Sequence, residues 1–411
     1  MWRGVSLRLL AMLVLGPLLT ETLVTLFITW MVLYAERSLQ IEPWHHMLIP
    51  MSGSLAYAGS AFIAGRWVTP RWAPRLMTGS ILVTALLGLA AMYFRSYPIF
   101  IACTFTLNLA IGHYYTPFQI NMTHVRPFRT LAWSIAFYNV AWGTGASLGP
   151  LFGGSLQDAA VSTLVGIAVL IAILHTILSV SAALAPHARD EVEHTVTFHS
   201  THRQRLTTLI AFLAVNAMIR GLYITYWPHL GVERGWSNTQ IGLGQFCLYV
   251  LIPVGSLLWA PIRTLFVGPG LMLLSMIVGA AGFALLNVSH RWEFAIACVL
   301  AIGVMESCAV FCTIYYVNSD PDPRSRARWV GLFEMCAGLA GISGPATYGL
   351  LTYLAERWHS EWLPTAVPAA VVIGAILFVL VSRPGRGHFD RYKLFSRSPT
   401  PGPDLIPPPP V

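Results

Sequence analysis

Long apolar segments are the feature of this sequence that most restricts its fold. A helix needs roughly 20 apolar residues to cross the ~30 Å hydrocarbon core of a bilayer. Twelve segments reach that length. The sequence therefore predicts an all-α, polytopic membrane protein with twelve transmembrane helices. The predicted segments are 9–34, 46–66, 75–94, 97–121, 131–156, 161–185, 206–228, 239–262, 268–288, 292–316, 329–353 and 362–382.

The charge content supports a membrane location. Only 10% of the residues are charged and 55% are hydrophobic, whereas about a quarter of the residues in a soluble domain carry charge. Such a chain cannot cover a surface that faces water, so the lipid bilayer is its expected solvent. The net charge of +8 does not indicate nucleic-acid binding, because the arginines lie in short gaps between apolar segments.

The distribution of basic residues predicts the orientation. If the N-terminus is cytoplasmic, 19 of the 25 Lys and Arg residues lie in cytoplasmic segments and 5 on the opposite side, while Arg220 lies within a helix. Cytoplasmic loops of membrane proteins carry an excess of Lys and Arg. We therefore expect an even number of spans and two cytoplasmic termini. The preference for Arg over Lys is typical of a GC-rich genome, and we expect a bacterial plasma (inner) membrane.

Polar stretches divide the chain into four regions. Residues 1–186 and 206–383 hold six apolar segments each and are predicted to form two six-helix bundles. Residues 187–205 are polar and form the predicted cytoplasmic linker. Residues 384–411 are polar and proline-rich, a composition that predicts a disordered cytoplasmic tail.

An internal repeat relates the two halves. The fifth and eleventh apolar segments each contain a Gly-Pro pair, and the two pairs are 195 residues apart. Glycine lets helices approach closely, and proline bends a helix by removing a backbone hydrogen bond. We therefore expect both segments to form tight, bendable packing surfaces. Their motif residues are Gly145, Gly149, Pro150, Gly153 and Gly154 in the fifth segment, and Gly344 and Pro345 in the eleventh.

The glycine-proline motif of the fifth segment resembles that of major facilitator superfamily transporters. The resemblance implies two pseudo-symmetric six-helix bundles in parallel orientation, with helices one, four, seven and ten lining a central cavity. It also implies that the glycine-proline segments act in gating. Packing of helices in some other polytopic protein is the alternative interpretation of the motif.

Two positions depart from the family pattern. The loop at 65–75 keeps the basic residues of the family but lacks its acidic residue. Asn108 stands where proton-driven drug exporters of the family place an arginine in the fourth helix. The sequence therefore does not indicate the usual drug/proton antiport mechanism.

Ionisable residues within the apolar segments are candidate functional groups, because burying a charge in a membrane is costly. Glu21, Arg220 and Glu306 fall on the first, seventh and tenth segments. We predict that Arg220 pairs with Glu21 or Glu306 across the cavity. A carboxylate freed when the pair breaks could then take up a proton, since burial favours the neutral form of a carboxyl group and an adjacent arginine favours the charged form. A static ion pair that fixes helix register is the alternative.

Four further polar residues complete the candidate site. Asn108 and His113 fall on the fourth segment and are candidates for the cavity wall. The 195-residue offset relates Glu334 to Asn139, and both lie a turn or two from the cytoplasmic end of their segments. We interpret this pair as candidate residues of an inner gate, and ordinary contact between helices is the alternative.

These features predict a secondary active transporter of a small organic solute that works by alternating access, with protons as the candidate coupling ion. A passive uniporter, and a receptor or assembly factor that kept the fold without transporting, are the alternatives. The sequence has no phosphate-binding glycine loop, nucleophile motif or zinc signature. We therefore expect no enzymatic activity, no cofactor and no bound metal, and we expect a monomer.

Overall fold

The protein is described by a computed structural model in which the ordered elements are helices. Residues 7–42, 45, 47–69, 72–125, 131–156, 161–183, 200–260, 269–318, 323–358, 366–367, 370–371 and 373–374 are described. Eleven helices lie within these residues: α1 (Leu7–Arg37), α2 (Leu48–Trp67), α3 (Ala73–Phe94), α4 (Tyr97–Val125), α5 (Leu131–Ser155), α6 (Val161–Ala183), α7 (Ser200–Glu233), α8 (Asn238–Trp259), α9 (Pro269–Leu285), α10 (Trp292–Asn318) and α11 (Pro323–Trp358).

The first eleven apolar segments each correspond to one helix. The twelfth segment, 362–382, lies mostly outside the described residues, although its few described residues are helical. The tail at 384–411 and the linker up to residue 199 also lie outside them. The count of twelve spans and the cytoplasmic termini therefore stay predictions.

Two helices begin earlier than their apolar segments. Helix α7 begins at Ser200 and α11 at Pro323, six residues before the predicted starts at 206 and 329. Hydropathy marks only the part of a helix that lies in hydrocarbon, whereas the helix can continue through the polar headgroup region. The last residues of the predicted linker are therefore the first turn of α7.

Four of the helices that line the space between the halves are more polar than the other long helices. Six of the described helices are long and apolar enough by themselves to cross a membrane; they are α1, α2, α3, α6, α8 and α10. Helices α4, α5, α7 and α11 are not among them, and all four contribute polar side chains to the space between the halves. Their polar residues face protein instead of lipid, where they find partners.

Helix packing divides the molecule into two bundles. In the first, α1 packs against α5 and α6, and α4 packs against α2 and α3. In the second, α11 packs against α7, and α10 packs against α7, α8 and α9. Two pairs, α5–α8 and α2–α11, carry most of the contact between the bundles. A shift of six helices converts one pair into the other, so the interface has the pseudo-twofold symmetry that the sequence repeat predicts.

Glycines bring the backbones together where the bundles meet. A Cβ atom on Gly65 of α2 would lie 2.7 Å from the Cα of Gly331 of α11. On the other pair, a Cβ on Gly154 of α5 would lie 3.0 Å from the Cα of Gly242 of α8. Neither position leaves room for a side chain, so each interhelical contact requires glycine.

The remaining motif glycines pack inside each bundle. Cβ atoms on Gly145, Gly149 and Gly153 of α5 would all meet the backbone of α1. On the equivalent helix α11, a Cβ on Gly344 would meet the backbone of α7. Pro150 and Pro345 lie inside these two helices. Each glycine-proline helix thus has one face against its own bundle and another against the opposite bundle.

Substitution of Gly149 tests this close packing. A Cβ there would lie 2.7 Å from the carbonyl oxygen of Thr22 and 2.8 Å from the backbone nitrogen of Leu26. We expect Gly149→Ala to lower the thermal unfolding temperature, because overpacking of this kind costs about 1–3 kcal/mol. Gly166→Ala on α6 is the matched control, since a Cβ there meets nothing within 4 Å. Equal unfolding temperatures for the two variants would contradict the packing argument.

Candidate functional site

A cavity of about 210 Å³ lies between the two bundles. One water molecule occupies ~30 Å³ in the liquid, so the space suits a small organic molecule. Eight helices line it: α1, α2, α4 and α5 of the first bundle, and α7, α8, α10 and α11 of the second. More helices therefore line the cavity than helices one, four, seven and ten, the set that the family resemblance implied.

An ion pair lies at the wall formed by α7 and α10. The Arg220 Nη1 atom donates a hydrogen bond to Oε1 of Glu306 over 3.1 Å. Asn216 Nδ2 donates to the other carboxylate oxygen over 2.7 Å. The Glu306 side chain is only 1% exposed, and that of Arg220 is 23% exposed because it borders the cavity. Of the two predicted partners, Arg220 pairs directly with Glu306.

Glu21 faces the same cavity from α1. The hydroxyl of Tyr115 on α4 donates to its Oε2 atom over 2.5 Å, and the side chain of Trp142 on α5 is a second hydrogen-bonding partner. Arg220 lies close enough to interact electrostatically with Glu21 as well as with Glu306. The guanidinium group is therefore hydrogen-bonded to a carboxylate of its own bundle and attracted by a second carboxylate on the opposite bundle.

Glu334 joins the two bundles on one side of the cavity. We call this side the N-terminal face, because α1 begins there. The Tyr57 hydroxyl donates to Oε2 of Glu334, and Gln119 Nε2 donates to Oε1. Asn318 Nδ2 in turn donates to Gln119 Oε1 over 3.4 Å. Glu334 itself is buried, with 6% of its surface exposed. This network connects α2 and α4 of the first bundle to α10 and α11 of the second.

A second set of polar contacts joins the bundles on the opposite face. Glu36, near the end of α1, pairs with His229 near the end of α7 at 3.1 Å. Arg37 Nη2 donates to the carbonyl oxygen of Trp236, which precedes α8, over 2.8 Å. The two bundles are therefore linked by polar contacts on both sides of the cavity.

Of the two candidate residues on α4, one lines the cavity and the other does not. Asn108 lines the cavity, and its Nδ2 atom donates to the carbonyl oxygen of Thr104 over 2.9 Å. His113 is not among the lining residues; it contacts its own helix at Leu109 and its ring lies beside Trp67. The reason is periodicity, because a cavity face that holds Asn108 repeats every three to four residues and passes through Tyr115, not His113.

Asn139 is also absent from the cavity lining. It is fully buried in α5, and neither amide atom has a hydrogen-bond partner among the described residues. The neighbouring Tyr138 and, one turn further, Trp142 reach the cavity instead. The repeat-related pair of Glu334 and Asn139 is thus not symmetric in its contacts.

Several residues at the site were missed by sequence reasoning. Asn216 lies one helical turn before Arg220, so the i, i+4 spacing was the available signal. Tyr115 lies two turns after Asn108 on the same face of α4. Tyr57 and Gln119 gave no signal, because their partner Glu334 is more than 200 residues away in the sequence. Among the described residues, no group of three His, Cys, Asp or Glu side chains could hold a metal ion.

The chain is similar to known transporters in sequence pattern and in fold. Residues 208–409 match the family model of the Major Facilitator Superfamily. No curated protein sequence matches the chain. The structure of the human organic anion transporter MFSD10 (TETRAN) superposes with a TM-score of 0.68 at 15% identity, covering 90% of this chain and 98% of that one.

A bacterial transporter structure has a similar architecture. The inward-facing, occupied structure of a bacterial homolog of the human lysosomal transporter Spinster superposes with a TM-score of 0.60 at 14% identity, covering 95% of this chain and 98% of that one. At such identities the likeness establishes the fold alone. The match over 208–409 assigns the second half of the chain to the Major Facilitator Superfamily, and the two-bundle arrangement around a central cavity extends the same transporter fold over the first half.

Proposed function

We propose that the protein is a secondary active transporter that moves a small organic solute through the central cavity by alternating access. The observation that carries the proposal is the pair of polar networks on the two sides of the cavity. Breaking the Glu334 network would open one side, and breaking the Glu36–His229 contact would open the other. The glycine contacts of α2–α11 and α5–α8 provide surfaces on which two rigid bundles can rock.

Glu21 is the proposed proton-coupling residue. It lies in the cavity wall, accepts a hydrogen bond from Tyr115, and shares Arg220 with Glu306. When the bundles rock, the distance from Glu21 to the guanidinium group changes, because Arg220 belongs to the other bundle. A carboxylate that loses its cationic neighbour in a low dielectric favours the protonated form. Proton binding and bundle movement are then linked.

The test uses proteoliposomes and a solute selected from a metabolite and drug library by its ability to raise the unfolding temperature of the purified protein. We expect Glu21→Gln to abolish stimulation of uptake by a pH gradient, since glutamine keeps the shape of the side chain but cannot titrate. Glu293→Gln is the matched control, because Glu293 is exposed in the first turn of α10.

Three results would contradict parts of this proposal. Full pH-driven uptake by Glu21→Gln would remove Glu21 from the mechanism. If the uptake rate of the wild-type protein is the same with and without a pH gradient, the passive uniporter is favoured. Binding of a solute without any flux would favour the receptor or assembly factor.

In this proposal the Arg220–Glu306 pair takes part in coupling because Arg220 changes its carboxylate partner between Glu306 and Glu21. A static pair would only fix helix register. We expect Glu306→Gln to destabilise the protein by less than the roughly 3–5 kcal/mol that removal of one partner costs a fully buried ion pair, because Arg220 loses its hydrogen-bonded carboxylate but borders the cavity and still interacts with Glu21. The double variant Arg220→Gln/Glu306→Gln removes both charges and recovers much of that stability.

Measurement of transport by the double variant distinguishes the exchange role of the pair from a purely structural role. If the pair exchanges with Glu21, the folded double variant carries no pH-driven flux in the same proteoliposomes. If the pair is only structural, the double variant transports at the wild-type rate, and the exchange mechanism is wrong.

Glu334 is the proposed residue of the inner gate. The arginine distribution assigns the N-terminal face to the cytoplasm, so the network of Tyr57, Gln119 and Glu334 would close the cytoplasmic side. The proposed location is the bacterial inner membrane. Asn108 is a proposed contact for the solute, whereas the contacts of His113 and Asn139 give neither residue a direct role at the cavity.

Tyr57→Phe tests the gate. The substitution removes a hydrogen bond to a carboxylate, worth about 1.5–3 kcal/mol, and so favours opening of the N-terminal face about tenfold or more. We expect faster hydrogen–deuterium exchange at the end of α2 and the start of α11, with no change near Glu36. Tyr93→Phe is the control, because Tyr93 is 81% exposed. Unchanged exchange in Tyr57→Phe would exclude a gating role for this contact.

A further inference from the structure

The charges around the cavity do not balance. Three carboxyl groups, those of Glu21, Glu306 and Glu334, interact with a single guanidinium group, that of Arg220. Glu306 is the closest partner of Arg220, at 3.1 Å, and the two charges offset each other. Two carboxylates therefore remain without a full positive partner among the described residues that line the cavity.

Glu334 and Glu21 differ in what they can offer to a ligand. Both carboxylate oxygens of Glu334 accept hydrogen bonds that hold the two bundles together. Glu21 accepts one from Tyr115 and is only partly buried, because it borders the cavity. An anionic group at the edge of a low-dielectric cavity attracts a positive charge strongly. Glu21 is thus the place where a ligand would supply the missing charge.

Several hydrogen-bond donors of the cavity are already committed. Tyr57 donates to Glu334, Tyr115 to Glu21, and the Nδ2 atom of Asn108 to the backbone of its own helix. Arg220 donates to Glu306. An anionic solute would lie beside two carboxylates that have no full positive partner, and repulsion between like charges in a low dielectric disfavours anions in this cavity.

Aromatic rings supply the second feature that suits a cation. The negative face of an aromatic ring attracts an ammonium or guanidinium group within about 6 Å. The guanidinium carbon of Arg220 already lies 5.9 Å from the ring centre of Trp142, so that ring faces a cation in the protein itself. Rings from both bundles line the cavity: Tyr57, Tyr115, Tyr138, Trp142, Tyr249 and Phe333.

Aliphatic side chains cover much of the remaining wall. They come from α1, α4, α7 and α10 and include Val24, Ile28, Ile111, Ile224 and Val310. These side chains cannot bind the hydration shell of a polar solute, but they gain from contact with an apolar one. The ligand therefore needs an apolar body as well as a charge.

We infer that the substrate class of this transporter is a small monovalent organic cation with an apolar or aromatic body, whose charge is held by the Glu21 carboxylate among the aromatic rings of the cavity. The inference rests on the proposed transport function and adds the chemistry of the solute. It assigns Glu21 two competing occupants, the proton and the cation, at the same carboxylate.

The test measures binding of matched probes to the full-length protein in lipid nanodiscs by isothermal titration calorimetry at neutral pH. The cation is 3-hydroxyphenyltrimethylammonium, which cannot lose its charge. Its neutral isostere is 3-tert-butylphenol, in which carbon replaces the charged nitrogen, and the anion is 3-hydroxybenzoate. We expect the cation to bind at least about tenfold more tightly than the isostere, as a desolvated cation–π and carboxylate contact requires.

Two variants locate the site. We expect Glu21→Gln to weaken binding of the cation by about tenfold or more, and Glu293→Gln to leave it within about twofold. The inference is overturned if the isostere or the anion binds as tightly as the cation, if Glu21→Gln binds the cation normally, or if the cation does not bind up to millimolar concentration. If Glu21→Gln does not fold, the affinities of the three probes for the wild-type protein decide whether the proposed ligand class is correct.

Binding requires no turnover, so this result is independent of the transport assay. A cation that binds at Glu21 without flux in proteoliposomes would refute transport and leave the ligand class in place. Flux of a neutral or anionic solute that the cavity binds would support transport and refute the ligand class.

Discussion

Close contact of helix backbones at the interface between the bundles is the constraint on which the rest of the structure depends. Lipid gives no hydrophobic drive for two helices to associate, so van der Waals packing of small residues must do so. Gly65 meets Gly331 on one pair of helices, and Gly154 meets Gly242 on the other. Because both contacts are smooth and free of side chains, they allow the bundles to tilt without breaking interlocked packing. The cavity exists because only these two helix pairs carry most of the contact between the bundles.

Polar groups then decide how far the bundles separate. A buried carboxylate needs partners, and those of Glu334 come from the opposite bundle. Opening this side therefore exposes or protonates the carboxylate. Glu306 differs, because both of its partners, Arg220 and Asn216, lie in its own bundle. Glu334 is thus suited to sense the movement of the bundles, and Glu306 to hold Arg220 in the state from which the proposed exchange with Glu21 starts.

The sequence predicted the parts of this arrangement that depend on local composition. Apolar length predicted eleven observed helices, and the expense of buried charge singled out Glu21, Arg220 and Glu306, which the structure brings to one region. The fourth helix shows what the sequence did not predict. His113 and Tyr115 are two residues apart, and only the rotation of α4 about its axis decides which one faces the cavity. That rotation follows from packing against α2 and α3, which a single sequence does not encode in any local pattern. Tyr57 and Gln119 were missed for the same reason, since tertiary packing alone makes them partners of Glu334.

The similarity to an organic anion transporter illustrates that a shared fold does not determine which solute is bound. Backbones that superpose with a TM-score of 0.68 share their helices and the place of their cavity, but at 15% identity most side chains at that place differ. Selectivity is a difference between binding free energies, and in a low-dielectric cavity the largest contribution to that difference is charge. Here three carboxyl groups interact with a single guanidinium group, and several hydrogen-bond donors are committed to the protein. The same scaffold that holds an anion in one protein is therefore suited, by two carboxylates without a full positive partner and a lining of aromatic rings, to hold a cation in this one.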